Sequence, residues 1–152
     1  MIIGVISDTH GLLRPEALRA LEGSELIVHA GDIGAPAVLE SLRALAPVVA
    51  VRGNNDRVLW ARDLRDLERF EAGKASICLL HDLKDLDIDP AAAGVHVVIT
   101  GHTHQPLVER RGNVLYVNPG SAGPRRFRLP IALARMRVEP GAIHAEIIRL
   151  EP

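Results

Sequence analysis

Seven side chains with metal-binding chemistry, Asp8, His10, Asp32, Asn54, His81, His102 and His104, each follow closely on a short apolar run. Residues 1–6 lead into Asp8 and His10, 26–28 into Asp32, 48–51 into Asn54, 77–80 into His81, and 95–99 into His102 and His104. Runs of this length, rich in Ile and Val, predict buried strands. In an open α/β sheet the ligand crevice lies beyond the carboxyl ends of the strands. Five strand ends would therefore bring carboxylate, amide and imidazole donors to one place. Mixed donors of this kind, with no thiolate among them, suit Mn²⁺, Fe, Ni or Zn²⁺ better than Mg²⁺ and argue against a structural zinc. The chemistry expected is metal-assisted, with a phosphate ester as substrate. Any one donor is weak evidence, since Gly-Asp and Gly-Asn pairs are common in ordinary turns. Their conjunction carries the reading.

The elements that must position these donors follow from pattern. Residues 14–21 and 36–45 have helical spacing, each with a proline suited to a first turn. They alternate with the first three strands, and a β-α-β-α-β order implies parallel strands joined by right-handed crossovers. Residues 57–66 read as a helix or as a loop over the active face. Beyond them the character changes. Residues 67–72 and 74–80 flank Gly73, 107–111 and 113–117 flank Gly112, and 130–138 and 142–150 flank Pro140-Gly141, all hairpin signals. The expected fold is α/β: a four-layer α-β-β-α sandwich of two mixed β-sheets in a single domain, residues 1–152. One sheet is expected to extend the parallel N-terminal half, and the other to be built mainly of antiparallel hairpins.

Composition narrows the function. With 47% hydrophobic and 24% charged residues the chain reads as an ordinary globular protein with a sizeable core. Aromatics are 3% and the formal net charge is -1, which leaves little for base-stacking platforms or a basic stripe, so an extended nucleic acid is not the expected partner. The single cysteine, Cys78, reads as a small buried hydrophobe. No stretch approaches membrane-spanning length and no basic leader precedes the first strand, so the expectation is a cytoplasmic enzyme, with a homodimer open.

Asp8-Thr9-His10, Gly31-Asp32, Gly53-Asn54-Asn55-Asp56, His81 and Gly101-His102-Thr103-His104, taken in that order and with Asn118-Pro119-Gly120-Ser121 after them, resemble the calcineurin-like metallophosphoesterases, and within them the small bacterial and archaeal phosphodiesterase branch. The resemblance covers nearly the whole chain. It implies two divalent ions, manganese foremost: one held by Asp8, His10, Asp32 and His104, the other by Asp32, Asn54, His81 and His102, with Asp32 bridging. Ions about 3.5–4 Å apart can share a hydroxide and lower its pKa towards neutrality, an arrangement suited to in-line attack on a phosphodiester. Glycines before Asp32, Asn54 and His102 are expected to allow sharp turns and close approach of substrate.

The chain departs from that family at two positions. Many members place His after the ligating Asn, where it serves the leaving group; here Asn55 can donate a hydrogen bond but cannot act as a general acid near neutral pH. Asp82 stands where Gly is usual and is expected in solvent. Asp56 either orients His10 by accepting its other ring N–H or caps the following segment. His29 reads as a hydrogen-bonded core histidine, and His96 and His144 as structural or surface residues. Arg125, Arg126 and Arg128 form a basic cluster for a non-reacting phosphate or a solvated loop, and Arg57 is a further candidate at the rim. The competing functions are a non-catalytic binding scaffold on the same fold, and a nuclease acting on small nucleotide esters.

Overall fold

The computed structural model describes all 152 residues. Ten strands and two helices run in the order β1 (Ile2–Ile6), α1 (Pro15–Leu21), β2 (Leu26–His29), α2 (Pro36–Arg43), β3 (Val48–Ala50), β4 (Leu67–Ala72), β5 (Ala75–Leu80), β6 (Val97–Ile99), β7 (Leu107–Arg111), β8 (Val114–Asn118), β9 (Ala132–Glu139) and β10 (Ala142–Arg149). Each helix starts with its proline in the first turn. Residues 57–66 form a loop carrying one 3₁₀ turn, Leu59–Ala61, and Val51 bridges Arg65 beside it.

The strands form two five-stranded mixed sheets, ordered β10-β9-β1-β2-β3 and β4-β5-β6-β8-β7. Their composition differs from the expectation. The β9-β10 hairpin joins the first sheet, with β9 antiparallel to β1, and the second sheet has a parallel centre, β5-β6-β8. The reason lies in burial. Val97, Val98 and Ile99 of β6 are wholly enclosed, which suits a central strand covered on both faces and joined in parallel.

The largest core, with Ile3, Val5, Val28, Ile77, Leu79, Ile99, Val117 and Met136 among its members, fills the space between the sheets. A second core joins the outer face of the first sheet (Ile6, Ile27, Leu133) to Ala17, Leu21, Val38, Leu39 and Leu42 of the helices. Outside the second sheet, Cys78, Leu80 and Val98 are covered by Leu83, Leu86 and Ile88, from a 3₁₀ turn (Leu83–Asp85) and the loop after it. Both α-helices thus lie on one side, and the fourth layer is a 3₁₀ turn and loop. No helix is long and apolar enough to cross a membrane. The carboxyl ends of β1, β2, β3, β5 and β6 open at one end of the sandwich, where the polar residues gather.

Candidate metal centre

The loop after β1 runs alongside the loop after β2 and continues the sheet's pairing. Asp8 N–H donates to the Gly31 carbonyl (3.0 Å), His10 N–H to that of Asp32 (2.9 Å), and Gly11 N–H to that of Ile33 (2.7 Å). Asp8, His10, Asp32, His102 and His104 all have left-handed backbones, with φ of 54°, 47°, 55°, 71° and 61°. Phe127 is the one other non-glycine residue in that region. L-residues enter it at a cost of order 1–3 kcal/mol unless the surroundings impose it, and such strain collects at functional sites. Here it turns successive side chains into one crevice.

In that crevice His104 Nε2 stands 3.3 Å from Asp8 Oδ1, and His10 Nε2 stands 3.9 Å from Asp8 Oδ1 and 3.8 Å from Asp32 Oδ2. His81 Nε2 stands 3.3 Å from Asp32 Oδ2 and 3.9 Å from Asp8 Oδ1. Two groups, Asp8-His10-His104 and Asp8-Asp32-His81, have ligand atoms all within 4.8 Å of one another. Each carboxylate faces both His10 and His81. Asp8 Oδ1, His10 Nε2, His81 Nε2 and His104 Nδ1 are buried and have no hydrogen-bond partner. Buried polar atoms are satisfied almost everywhere in native proteins, so this cluster of orphans, with its O and N donor set, fits cations.

The surroundings aim these groups. His81 Nδ1–H donates to the Ala30 carbonyl at 2.7 Å, which fixes the tautomer and turns the Nε2 lone pair into the crevice. Ser7 Oγ donates to Asp8 Oδ2 (2.6 Å), and His102 N–H donates to the same oxygen (3.1 Å). Burial opposes the charge of Asp8, but the rings of His104 and His81 and the Ser7 hydroxyl outweigh it and hold the carboxyl below its usual range. Asp32 is likewise opposed by burial, yet His81 and the Asn55 amide bring it down to about 2. Burial disfavours the His81 cation, but Asp32 and Asp8 beside it raise its pKa. Two enclosed carboxylates held ionised attract positive charge.

The remaining candidates lie around this nucleus. Asn54 is exposed and lines a cavity of about 480 Å³ together with His81, Asp82 and Arg57. The His102 ring stacks edge-on against His81 at 5.2 Å between centroids, and its Nε2 faces Asp82 Oδ2 at 3.6 Å. Asp82 is therefore drawn in from solvent: it begins the 3₁₀ turn by accepting the Lys84 N–H and offers its other oxygen to His102. Asn55 bonds Asp32 twice, backbone N–H to Oδ1 (2.9 Å) and Nδ2–H to Oδ2 (3.3 Å). Asp56 is buried and accepts from the N–H groups of Ile33, Gly34 and Gly53 at 3.0–3.1 Å, with no hydrogen bond to His10. Its carboxylate gathers the β2 and β3 loops through their backbones.

Ser7, between the first apolar run and Asp8, is a support that nothing in the sequence pattern marks. Ser121 Oγ–H donates to the Asp8 carbonyl at 3.0 Å, and Asn118 Nδ2–H donates to the Gly101 carbonyl at 2.9 Å, so the turn after β8 packs against the centre. A Cβ on Gly53 would overlap Asp32 Oδ1, and one on Gly101 would overlap Ser7 Oγ. These two glycines make room for the centre's own side chains, where the sequence suggested room for substrate. His29 Nδ1 accepts from Gly31 N–H (3.1 Å) and its Nε2–H therefore donates to Thr9 Oγ (3.0 Å), which passes its own proton to the Ile33 carbonyl (2.8 Å). His96 Nδ1 accepts the Ser76 N–H at 2.9 Å, a structural bond, while Arg125, Arg126 and Arg128 are exposed and unpaired.

Residues 1–141 match the family model of the calcineurin-like phosphoesterase superfamily domain. A probable metallophosphoesterase of Methanothermobacter thermautotrophicus is 38% identical over 161 residues, covering 98% of this chain and 92% of that one. The phosphodiesterase YfcE of Escherichia coli is 32% identical over 146 residues, 76% of each chain. Among solved structures, wild-type Vps29 with zinc from Entamoeba histolytica superposes with a TM-score of 0.75 at 24% identity, covering 98% of this chain and 99% of that one, a likeness of fold. With its donors gathered at the strand ends and these relatives along nearly its full length, the chain belongs to the calcineurin-like phosphoesterase superfamily and is a metal-dependent phosphoester hydrolase.

Proposed function

We propose that the chain hydrolyses small phosphodiesters at a centre of two divalent cations, manganese foremost. One would be held by Asp8, His10, Asp32 and His104, the other by Asp32, Asn54, His81 and His102, with Asp32 between them. The observation that carries the reading is that the buried, partnerless Asp8 Oδ1, His10 Nε2 and His81 Nε2 face one another across the crevice. Bound there, such cations would supply Lewis acidity for a nucleophilic water and for the phosphoryl oxygens.

The protein's own groups do the rest. Asp8 and Asp32 stay ionised across the working range because the histidines, the Ser7 hydroxyl and the Asn55 amide favour their charged forms. The Ala30 carbonyl holds His81 in its ligating tautomer. Asn55 spends its side-chain N–H on Asp32 and so supports a carboxylate where many relatives of the family pattern place a proton donor. A poor leaving group, which needs a proton, would therefore depart more slowly than an aryl one, which does not.

The test is metal content and hydrolysis of bis(p-nitrophenyl) phosphate after chelation and refilling with Mn²⁺. Two ions bound per chain with restored turnover are expected. Protein that binds manganese yet leaves activated diesters intact would favour a binding scaffold on the same fold, and protein that binds none would refute the centre.

A further inference from the structure

The cavity beside Asn54 and His81 does not end at the metal centre. It shares Arg52, Gly53, Arg57 and Asp66 with a larger one of about 840 Å³, whose far wall is Val58, Leu59 and Trp60. That volume lies in the range of about 300–1,000 Å³ common for small-molecule sites. An ester substituent of a phosphate bound at the cation site would have this adjoining cavity within reach, past the shared Gly53 and Arg57.

The walls of this groove are chemically uneven. Arg52 is neutralised by Asp66, its Nε and Nη2 both 3.2 Å from Oδ1. Arg62 has Asp63 at 4.0 Å. Arg57, which lines both cavities, has no ion pair: its Nε–H donates to the Asn54 carbonyl at 3.1 Å and both terminal nitrogens are unpartnered. Beside it Val58 is 54% and Leu59 81% exposed, an unusual expense of apolar surface for residues on one short turn. Trp60, the chain's single tryptophan, packs on the core beneath the helices and contributes its remaining surface to the cavity.

An indole and an unneutralised guanidinium lining one cavity are a pairing suited to a base and a phosphate in one molecule, since a base stacks on an aromatic ring and a guanidinium fork grips an oxyanion. We propose that this groove is a nucleotide subsite, in which Trp60 and its apolar neighbours take the base of one ester substituent and Arg57 takes a phosphate that does not react. The inference rests on the phosphodiesterase reading for why an ester substituent lies there, and it narrows the substrate class to small nucleotide diesters bearing an additional phosphate.

Trp60 supplies the readout. With Mn²⁺-loaded enzyme, thymidine carrying phosphates at both ends of its sugar should quench tryptophan emission saturably and bind at least about tenfold tighter than either thymidine monophosphate, because charged hydrogen bonds to a phosphate are among the strong ones. Inorganic phosphate should leave the emission unchanged. In Arg57→Gln the advantage of the second phosphate should vanish while thymidine monophosphate still quenches. An unaltered emission in wild type, or the same advantage for the bisphosphate in Arg57→Gln, would overturn the subsite. Bis(p-nitrophenyl) phosphate hydrolysis by the same preparation reports the metal centre without need of the groove, so loss of that activity would mark failure of the underlying reading instead.

Discussion

The two halves of the proposed centre share a strained backbone, at Asp8, His10 and His104 in one and at Asp32 and His102 in the other, but hold their ligands differently. In the first, Asp8 and His104 are enclosed, with Asp8 held by Ser7, the His102 amide and, through its carbonyl, Ser121. In the other half, His81 is equally fixed through Ala30, but Asn54 is exposed and the His102 ring faces Asp82. Ordering a ligand before binding removes an entropic cost at binding. The enclosed half should therefore take its cation first and more tightly, and the open half should depend on metal supply.

Asp8→Asn breaks the comparison most severely. The amide keeps the shape but removes a charge that faces His10, His81 and His104 together. Losing groups that merely orient ligands costs about 10–100-fold, so losing this carboxylate should lower turnover by more than about 100-fold. Excess Mn²⁺ should not restore it. Bound manganese and kcat measured together check the expectation, and a variant rescued by metal would show that Asp8 is dispensable to the first half.

His102→Ala sharpens the same contrast. Its ring is part exposed, so the fold should survive, and the manganese concentration for half-maximal activity should rise about 10–100-fold. Here high Mn²⁺ should recover most of the turnover. Titration calorimetry on wild type should resolve two binding steps, the weaker of which is lost in this variant. A single unchanged step would mean that His102 stays with Asp82 and holds no ion.

The difference between the halves also shows what could be read from the sequence. Strand ends were legible, because an apolar run that stops at a polar residue marks both the strand and the place where its side chain emerges; Asp8, Asp32, His81 and His104 follow that rule. The supports were not. Ser7 holds the Asp8 carboxylate, while Ser121, more than a hundred residues away, reaches the Asp8 carbonyl only because β9 after it pairs with β1. From the sequence Asp56 is expected to orient His10 or to cap the segment after it, and its partners are instead three backbone amides of the β2 and β3 loops, which no side-chain pattern announces. Sheet membership of the last hairpin was equally hidden, since alternation gives the faces of β9 and β10 but not their neighbour.

Beneath both halves lies His29, and it sets a pH limit on the scaffold. Complete burial lowers its pKa to about 4, only partly countered by Asp8 and Asp56. Above its ordinary value of 6.5 the ring is neutral in folded and unfolded chains alike, and its contribution to stability is whole. As pH falls below that value the unfolded chain gains a proton the folded one refuses, and stability declines until the folded ring titrates near 4. At about pH 5 the loss should be about 2 kcal/mol. Urea unfolding at about pH 7.5 and about pH 5, in wild type and in His29→Gln, isolates it: the variant should be less stable throughout but lose less on acidification. His81 contributes with the opposite sign, its raised pKa favouring the folded state at low pH, and is common to both proteins.

The smallest expected change concerns Asn55, which stands between the halves through its two bonds to Asp32. The backbone N–H bond survives any substitution, so Asp32 keeps its principal support in Asn55→His. The imidazole would give up the weaker amide bond, at 3.3 Å, and present a group that titrates near neutrality. Aryl esters, whose leaving groups depart unaided, should be hydrolysed at nearly the wild-type rate. Alkyl diesters need a proton, and their turnover relative to aryl diesters should rise by about tenfold, at the low end of what general acids contribute. An unchanged alkyl-to-aryl ratio would place residue 55 outside the reach of the leaving oxygen and leave it solely a support for Asp32. That outcome would confine Asn55 to the carboxylate that both halves share and remove it from the chemistry of the ester.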